Sequence, residues 1–151
     1  MRTIASLTVA ILILTVSPMQ PAFATPEKTD RCSNGSLSGR FAFIIQGTQF
    51  TPLPAIQAAT VGALNFDGQG GLTGADVASF SGQIVPRSFR GIYSVNPDCT
   101  ATASLTIATG FPVGATFNFA IVLVDRGDEA IFIQTDPGSL FTGSLKRQAG
   151  K

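Results

Sequence analysis

The chain has 151 residues, with ten basic and nine acidic side chains, two cysteines, twelve phenylalanines, no tryptophan and no histidine. Balanced charge without a basic block gives nucleic acid or an anionic membrane no electrostatic footprint, so no nucleic-acid partner is expected. The missing histidine removes Ser-His-Asp and Cys-His catalysis and the commonest zinc, copper and iron sites, so no catalytic, cofactor or metal residue is assigned.

In chain order, residues 1–24 read as a cleavable signal peptide. Arg2 supplies the positive start, Ile4 to Val16 an apolar run, and Ala22-Phe23-Ala24 the small-residue pattern that places cleavage after Ala24. The run falls short of the roughly 20 residues of a membrane helix, so no membrane span is expected after cleavage. Loss of Arg2 leaves the acidic and basic side chains of the mature chain in balance. The remainder divides into an N-terminal segment, 25–38, tethered by Cys32, a β-barrel domain, 39–146, and a polar tail, 147–151. An even cysteine count in an exported chain predicts a disulfide between Cys32 and Cys99 and a secreted or periplasmic location.

From Cys32 onward the chain reads as short strands separated by turn signals. Strands are expected over 39–47, 58–66, 72–82, 87–95, 100–108, 115–125, 129–135 and 140–145. Asp67-Gly68-Gln69-Gly70-Gly71 is a hairpin turn in which glycine supplies positive φ. Pro86 marks the break between the third and fourth strands. Asn96-Pro97-Asp98, Gly110 to Gly114, Arg126-Gly127-Asp128 and Asp136-Pro137-Gly138 carry the later turns. No connection is long enough for a crossover helix, so the sheet must be antiparallel. Eight up-and-down strands fit a small all-β barrel, with a two-sheet β-sandwich as the alternative.

The fifth strand alternates cleanly between apolar and polar positions. The sixth is apolar on both faces, with Phe119, Ile121 and Leu123 on the side shared with Ala130, Phe132 and Gln134. The other side gathers Val122, Val124, Ile131 and Ile133. A barrel wall has only one inside, so this second apolar face is expected to be covered. The cover is a partner subunit, making a homo-oligomer, or the loop 48–57 of the same chain.

Several short motifs reduce to turns. Gly35-Ser36-Leu37-Ser38-Gly39 has leucine where a nucleophile elbow needs serine. Gly68-Gln69-Gly70-Gly71 lacks the following helix that would hold a phosphate. Asp67 to Asp76 only loosely matches a calcium-binding glycine repeat, and Arg126-Gly127-Asp128 spells an adhesion tripeptide at a hairpin tip. What remains is apolar. Phenylalanines that do not simply fill the core would line a cavity, and Phe43, Phe89, Tyr93, Phe119 and Phe132 are the candidates, with Gln134 to orient a ligand.

Phe66-Asp67-Gly68-Gln69-Gly70-Gly71-Leu72-Thr73-Gly74, the stretch Arg90 to Thr102 and the opening Cys32 to Gly39 together resemble segments of small exported bacterial β-barrel proteins of unassigned function. More distantly, the arrangement resembles the barrels of the allene oxide cyclase and lipocalin groups. The lipocalin likeness implies a carrier of small apolar ligands. The cyclase likeness implies an apolar barrel that steers an unsaturated fatty-acid epoxide, although no catalytic residue of the cyclases falls on a matching position here. Three functions follow as expectations: a secreted or periplasmic barrel that binds a small apolar ligand, a cofactor-free cyclase or isomerase with Tyr93 as its foremost acid-base group, and a structural or adhesive surface protein.

Overall fold

The computed structural model describes residues 31–51 and 53–149. The expected leader lies outside the described residues. Eight strands run in chain order: β1 (Ser38–Gln49), β2 (Ile56–Asp67), β3 (Gly71–Phe80), β4 (Gln83–Val95), β5 (Thr100–Thr109), β6 (Thr116–Val124), β7 (Glu129–Gln134) and β8 (Ser139–Arg147). Each pairs antiparallel with the next, and β1 pairs with β8, closing an up-and-down barrel. Closure leaves no exposed edge, and at eight strands the interior is wide enough to be filled by side chains or to hold one small ligand. No α-helix occurs among the described residues; short 3-10 turns cover Asn34–Leu37 and Asp125–Gly127.

Strand ends fall within two residues of expectation except at the start of β4, and two differences matter for the architecture. Pro86 does not break the chain but lies within β4, opposite Val77 of β3. Pairing of β4 with β5 begins only at Ser88, so at Pro86 the strand has a neighbour on one side and a missing N–H is tolerated. The turn falls instead at Ser81 and Gly82, both at positive φ. Arg147, assigned to the polar tail, is the last residue of β8 and part of the closed end of the barrel.

The inward face follows the period of two. Phe41, Phe43, Leu64, Phe66, Leu72, Phe89, Tyr93, Phe119, Ile121, Leu123, Phe132 and Leu145 are all buried. Curvature tight enough for closure is made locally by strand glycines, each facing a bulky side chain on the neighbouring strand. Gly74 lies opposite Phe89 and Gly143 opposite Phe132. A Cβ on either glycine would run into the facing ring, so the aromatic occupies the space that the missing side chain leaves.

One end of the barrel is sealed. Leu37 is fully buried there, and the Tyr93 hydroxyl bonds the carbonyls of Asn34 at 3.0 Å and Leu37 at 3.2 Å. The Asn34 side chain accepts from the Val95 N–H and donates to the Gln69 carbonyl. Arg147 lies over the Phe41 ring, 4.5 Å from its centroid. It bonds the carbonyls of Ser36, Ser38 and Gly127 and pairs with Asp128 at 2.6 Å. The Cys32–Cys99 disulfide ties the N-terminal segment to the β4–β5 turn across a sequence separation of 67, worth about 4 kcal/mol in the chain-entropy account.

The hairpin turn at this end depends on one carboxylate. Asp67 Oδ1 accepts the N–H groups of Gln69, Gly70 and Gly71 at 2.7 to 2.9 Å. Those bonds, Gln69 and Gly71 foremost, hold the Asp67 carboxyl below its usual pKa. The stabilisation is therefore present above the unfolded-state pKa and lost as pH falls through the lowered folded value. Asp67→Ala is expected to lower the urea midpoint at neutral pH, with the gap to the unaltered protein closing below about pH 4. Urea titrations across the acid range test this; a gap that persists unchanged into strong acid contradicts it.

Candidate functional site

The opposite end of the barrel is open. A cavity of about 560 Å³ descends from the β1–β2, β3–β4 and β5–β6 connections, with Thr51, Ser81, Phe111 and Pro112 at its rim, to Leu64, Phe66, Leu72 and Leu145 at depth. Phe43, Phe89, Phe119, Phe132 and Gln134, singled out from the sequence, all line it. Phe43 and Phe89 meet edge to face at 6.0 Å between centroids, and Phe119 and Phe132 at 5.6 Å. The expectation for Tyr93 needs correction. Tyr93 belongs to the sealed end beneath Phe66, 5.0 Å away between ring centroids, with its hydroxyl engaged by two carbonyls. Burial pushes its pKa up, which suits a structural phenol and not an acid-base group at work in the cavity. The Gln134 amide is held by Asp136, Nε2 to Oδ2 at 2.9 Å.

The group that sequence reasoning missed is charged. Asp76 of β3 and Arg87 of β4 are direct partners in the strand register and both line the cavity. Arg87 Nε donates to Asp76 Oδ1 at 2.9 Å and Nη2 to Oδ2 at 2.6 Å, a bidentate pair. Nη2 also reaches Thr60 Oγ1 at 3.3 Å. The side chains are 10% and 2% exposed. The guanidinium carbon lies 5.4 Å from the centroid of the Phe80 ring. Two glycines make room for the pair: a Cβ on Gly62 would meet the Cβ of Asp76, and one on Gly110 would meet the Cγ of Arg87. The available signal was parity, since Asp76 alternates with Leu72 and Gly74 on the inward face of β3. The partner could be named only once the register was known.

The weaker motifs resolve into structural roles. Asp67 and Asp76 lie toward opposite ends of the barrel, one capping its own turn and one paired with Arg87, so they form no calcium loop. No cluster of metal-ligating side chains occurs among the described residues. In Arg126-Gly127-Asp128 the glycine is buried and the aspartate is paired with Arg147, so the tripeptide is built into the sealed end. The expected cover over the second apolar face is also corrected in part. Val122, Val124, Ile131 and Ile133 remain 38% to 56% exposed, and loop 48–57 contributes Thr51 and Ile56 to the cavity wall instead.

No protein-family model matches the chain, and no curated protein matches it. Among solved structures, it is similar to a redesigned β-barrel, b11L5F_LGL, with a TM-score of 0.56 and 18% identity over 77% of this chain and 95% of that one. It is also similar to a redesigned β-barrel, mFAP1, bound to DFHBI, with a TM-score of 0.52 and 18% identity over 76% of this chain and 97% of that one. These likenesses bear on the fold. Of the expected likenesses, they support the eight-stranded barrel; neither neighbour is a lipocalin or an allene oxide cyclase.

A bidentate buried pair makes a clear energetic demand. Arg87→Ala strands a carboxylate that is 2% exposed and is expected to cost about 3–5 kcal/mol in urea unfolding. Replacing both partners, Asp76→Leu with Arg87→Met, removes the uncompensated charge and should recover most of that loss. A double variant no more stable than Arg87→Ala would contradict this account of the pair.

Proposed function

We propose that this chain is a binding barrel whose ligand is a small, mainly apolar molecule held in the open-ended cavity. The observation that carries the reading is the cavity itself, of about 560 Å³, walled by nine phenylalanines among mainly apolar side chains and closed below by the Tyr93 and Arg147 contacts. That volume lies within the range of small-molecule sites, and the balance of apolar wall to convergent polar groups is the usual one. A structural neighbour, mFAP1, carries DFHBI, in keeping with barrels of this size accepting a small ligand. Export to an oxidising compartment forms part of the proposal, supported by the disulfide.

A cofactor-free cyclase or isomerase is the second reading. One observation favours it: a buried carboxylate, Asp76, stands on the cavity wall, where a general base would need to be. Its engagement by Arg87 through both oxygens favours binding over proton transfer.

Leu105 lines the cavity on β5, and Leu105→Trp should narrow it and obstruct a bound ligand. Native mass spectrometry of the protein purified without detergent is expected to release an apolar mass on denaturation from the unaltered chain, and at least about tenfold less from Leu105→Trp with its circular dichroism retained. A clean apo mass in both would turn the reading toward a structural role. The exposed Val122, Val124, Ile131 and Ile133 extend the proposal to self-association through that face. Light scattering should then report an oligomer that Val122→Lys with Ile131→Glu converts to monomer, and a monomer at high concentration without substitution counts against it.

A further inference from the structure

The cavity's charge and donor inventory narrows the ligand further. Asp76 and Arg87 are the only charged side chains on its wall among the described residues, and together they are neutral. Arg87 has five N–H donors. Nε uses one, and Nη2 directs its pair toward Asp76 and Thr60. The two on Nη1 have no hydrogen-bond partner among the described residues. Among the described residues no fully buried polar side-chain atom lacks a partner, so Nη1 keeps accessible surface, on a side chain that lines the cavity. Of the wall's other donors, Gln49 Nε2 is committed to the carbonyls of Thr51 and Gly138 and Gln134 Nε2 gives one hydrogen to Asp136. The Gln83 amide and the Thr60 and Ser81 hydroxyls also line the cavity, but they are neutral, and Arg87 is its one cationic donor among the described residues.

We infer that the ligand presents an uncharged oxygen acceptor, a ketone, aldehyde, ester or epoxide, to Arg87 Nη1, and that free carboxylic acids are disfavoured. This rests on the cavity reading above and specifies its ligand class. An apolar wall beside an unfilled cationic donor rewards a hydrogen-bond acceptor, because a ligand without one leaves the donor desolvated and unpaired. A carboxylate would satisfy the donor, but it would bring a second negative charge into a low-dielectric cavity where the guanidinium is already neutralised by Asp76. A neutral carbonyl satisfies Nη1 and leaves the cavity uncharged. Asp76 thus acts as a selectivity-determining residue, cancelling the charge that would otherwise draw an acid while holding the guanidinium in position.

The test uses three probes of one chain length at pH 8 on the full exported protein: 2-nonanone and nonanoate by titration calorimetry, and n-nonane by head-space partition. The unaltered protein is expected to bind 2-nonanone about tenfold more tightly than nonanoate. Asp76→Asn keeps an acceptor for Arg87 and leaves the cavity with one positive charge; it should raise nonanoate affinity about tenfold with 2-nonanone nearly unchanged. The paired replacement Asp76→Leu with Arg87→Met should lose about tenfold for 2-nonanone and little for n-nonane. Nonanoate binding best to the unaltered protein, or no gain for nonanoate with Asp76→Asn, overturns the inference. So does equal retention of 2-nonanone and n-nonane by the paired variant, although the cavity reading survives all three results. Exclusion of all three probes overturns both.

Discussion

Everything in this molecule follows from the pairing of β1 with β8. An open eight-stranded sheet would leave two edges and one unsupported apolar face. Closing it gives every strand two neighbours and turns the apolar face into an interior. Closure demands strong local curvature, and the chain supplies it with strand glycines set against aromatics, as at Gly74 with Phe89 and Gly143 with Phe132. The same pairs that bend the wall therefore place two of the cavity's phenylalanines.

The two ends are treated differently, and that asymmetry creates the site. At one end the N-terminal 3-10 turn enters the barrel mouth and is held by Tyr93, Asn34, Arg147 and the disulfide. A polar, multiply bonded lid of this kind costs little when each group is satisfied, and no buried polar side-chain atom is left without a partner among the described residues. At the other end no segment among the described residues fills the mouth, and the space between the strand ends remains as the cavity. Into it the fold places one buried ion pair, an arrangement that hydrophobic residues of similar volume could replace without loss of stability. It stands on a mainly apolar wall that also carries Thr60, Gln83 and Gln134.

The outer surface carries a second constraint. The register sets Ile131 beside Val122, and Ile44 beside Val61, which in turn lies beside Val77. These side chains face outward and are 46% to 62% exposed. Their exposure follows from strands with apolar residues on both faces in a wall that has only one inside.

The alternation of β5, the double apolar character of β6 and the turn chemistry around Asp67, Asn96 and Asp136 were legible without coordinates, because strand period and turn preference are local properties of the chain. The cysteine count likewise indicated the Cys32–Cys99 link. The facing of β6 against β7 could be read because a tight turn fixes the register between them. Tertiary structure alone decided three things. Pro86 could stay inside β4 because β5 does not pair with that stretch. Tyr93 went to the sealed end because its hydroxyl found the carbonyls of Asn34 and Leu37. Asp76 met Arg87 because the two face each other across β3 and β4, with Gly62 and Gly110 leaving the space. Local sequence sets which side of a strand a residue occupies, but position along the barrel axis and partner across the ladder depend on register and closure, which the whole chain sets together.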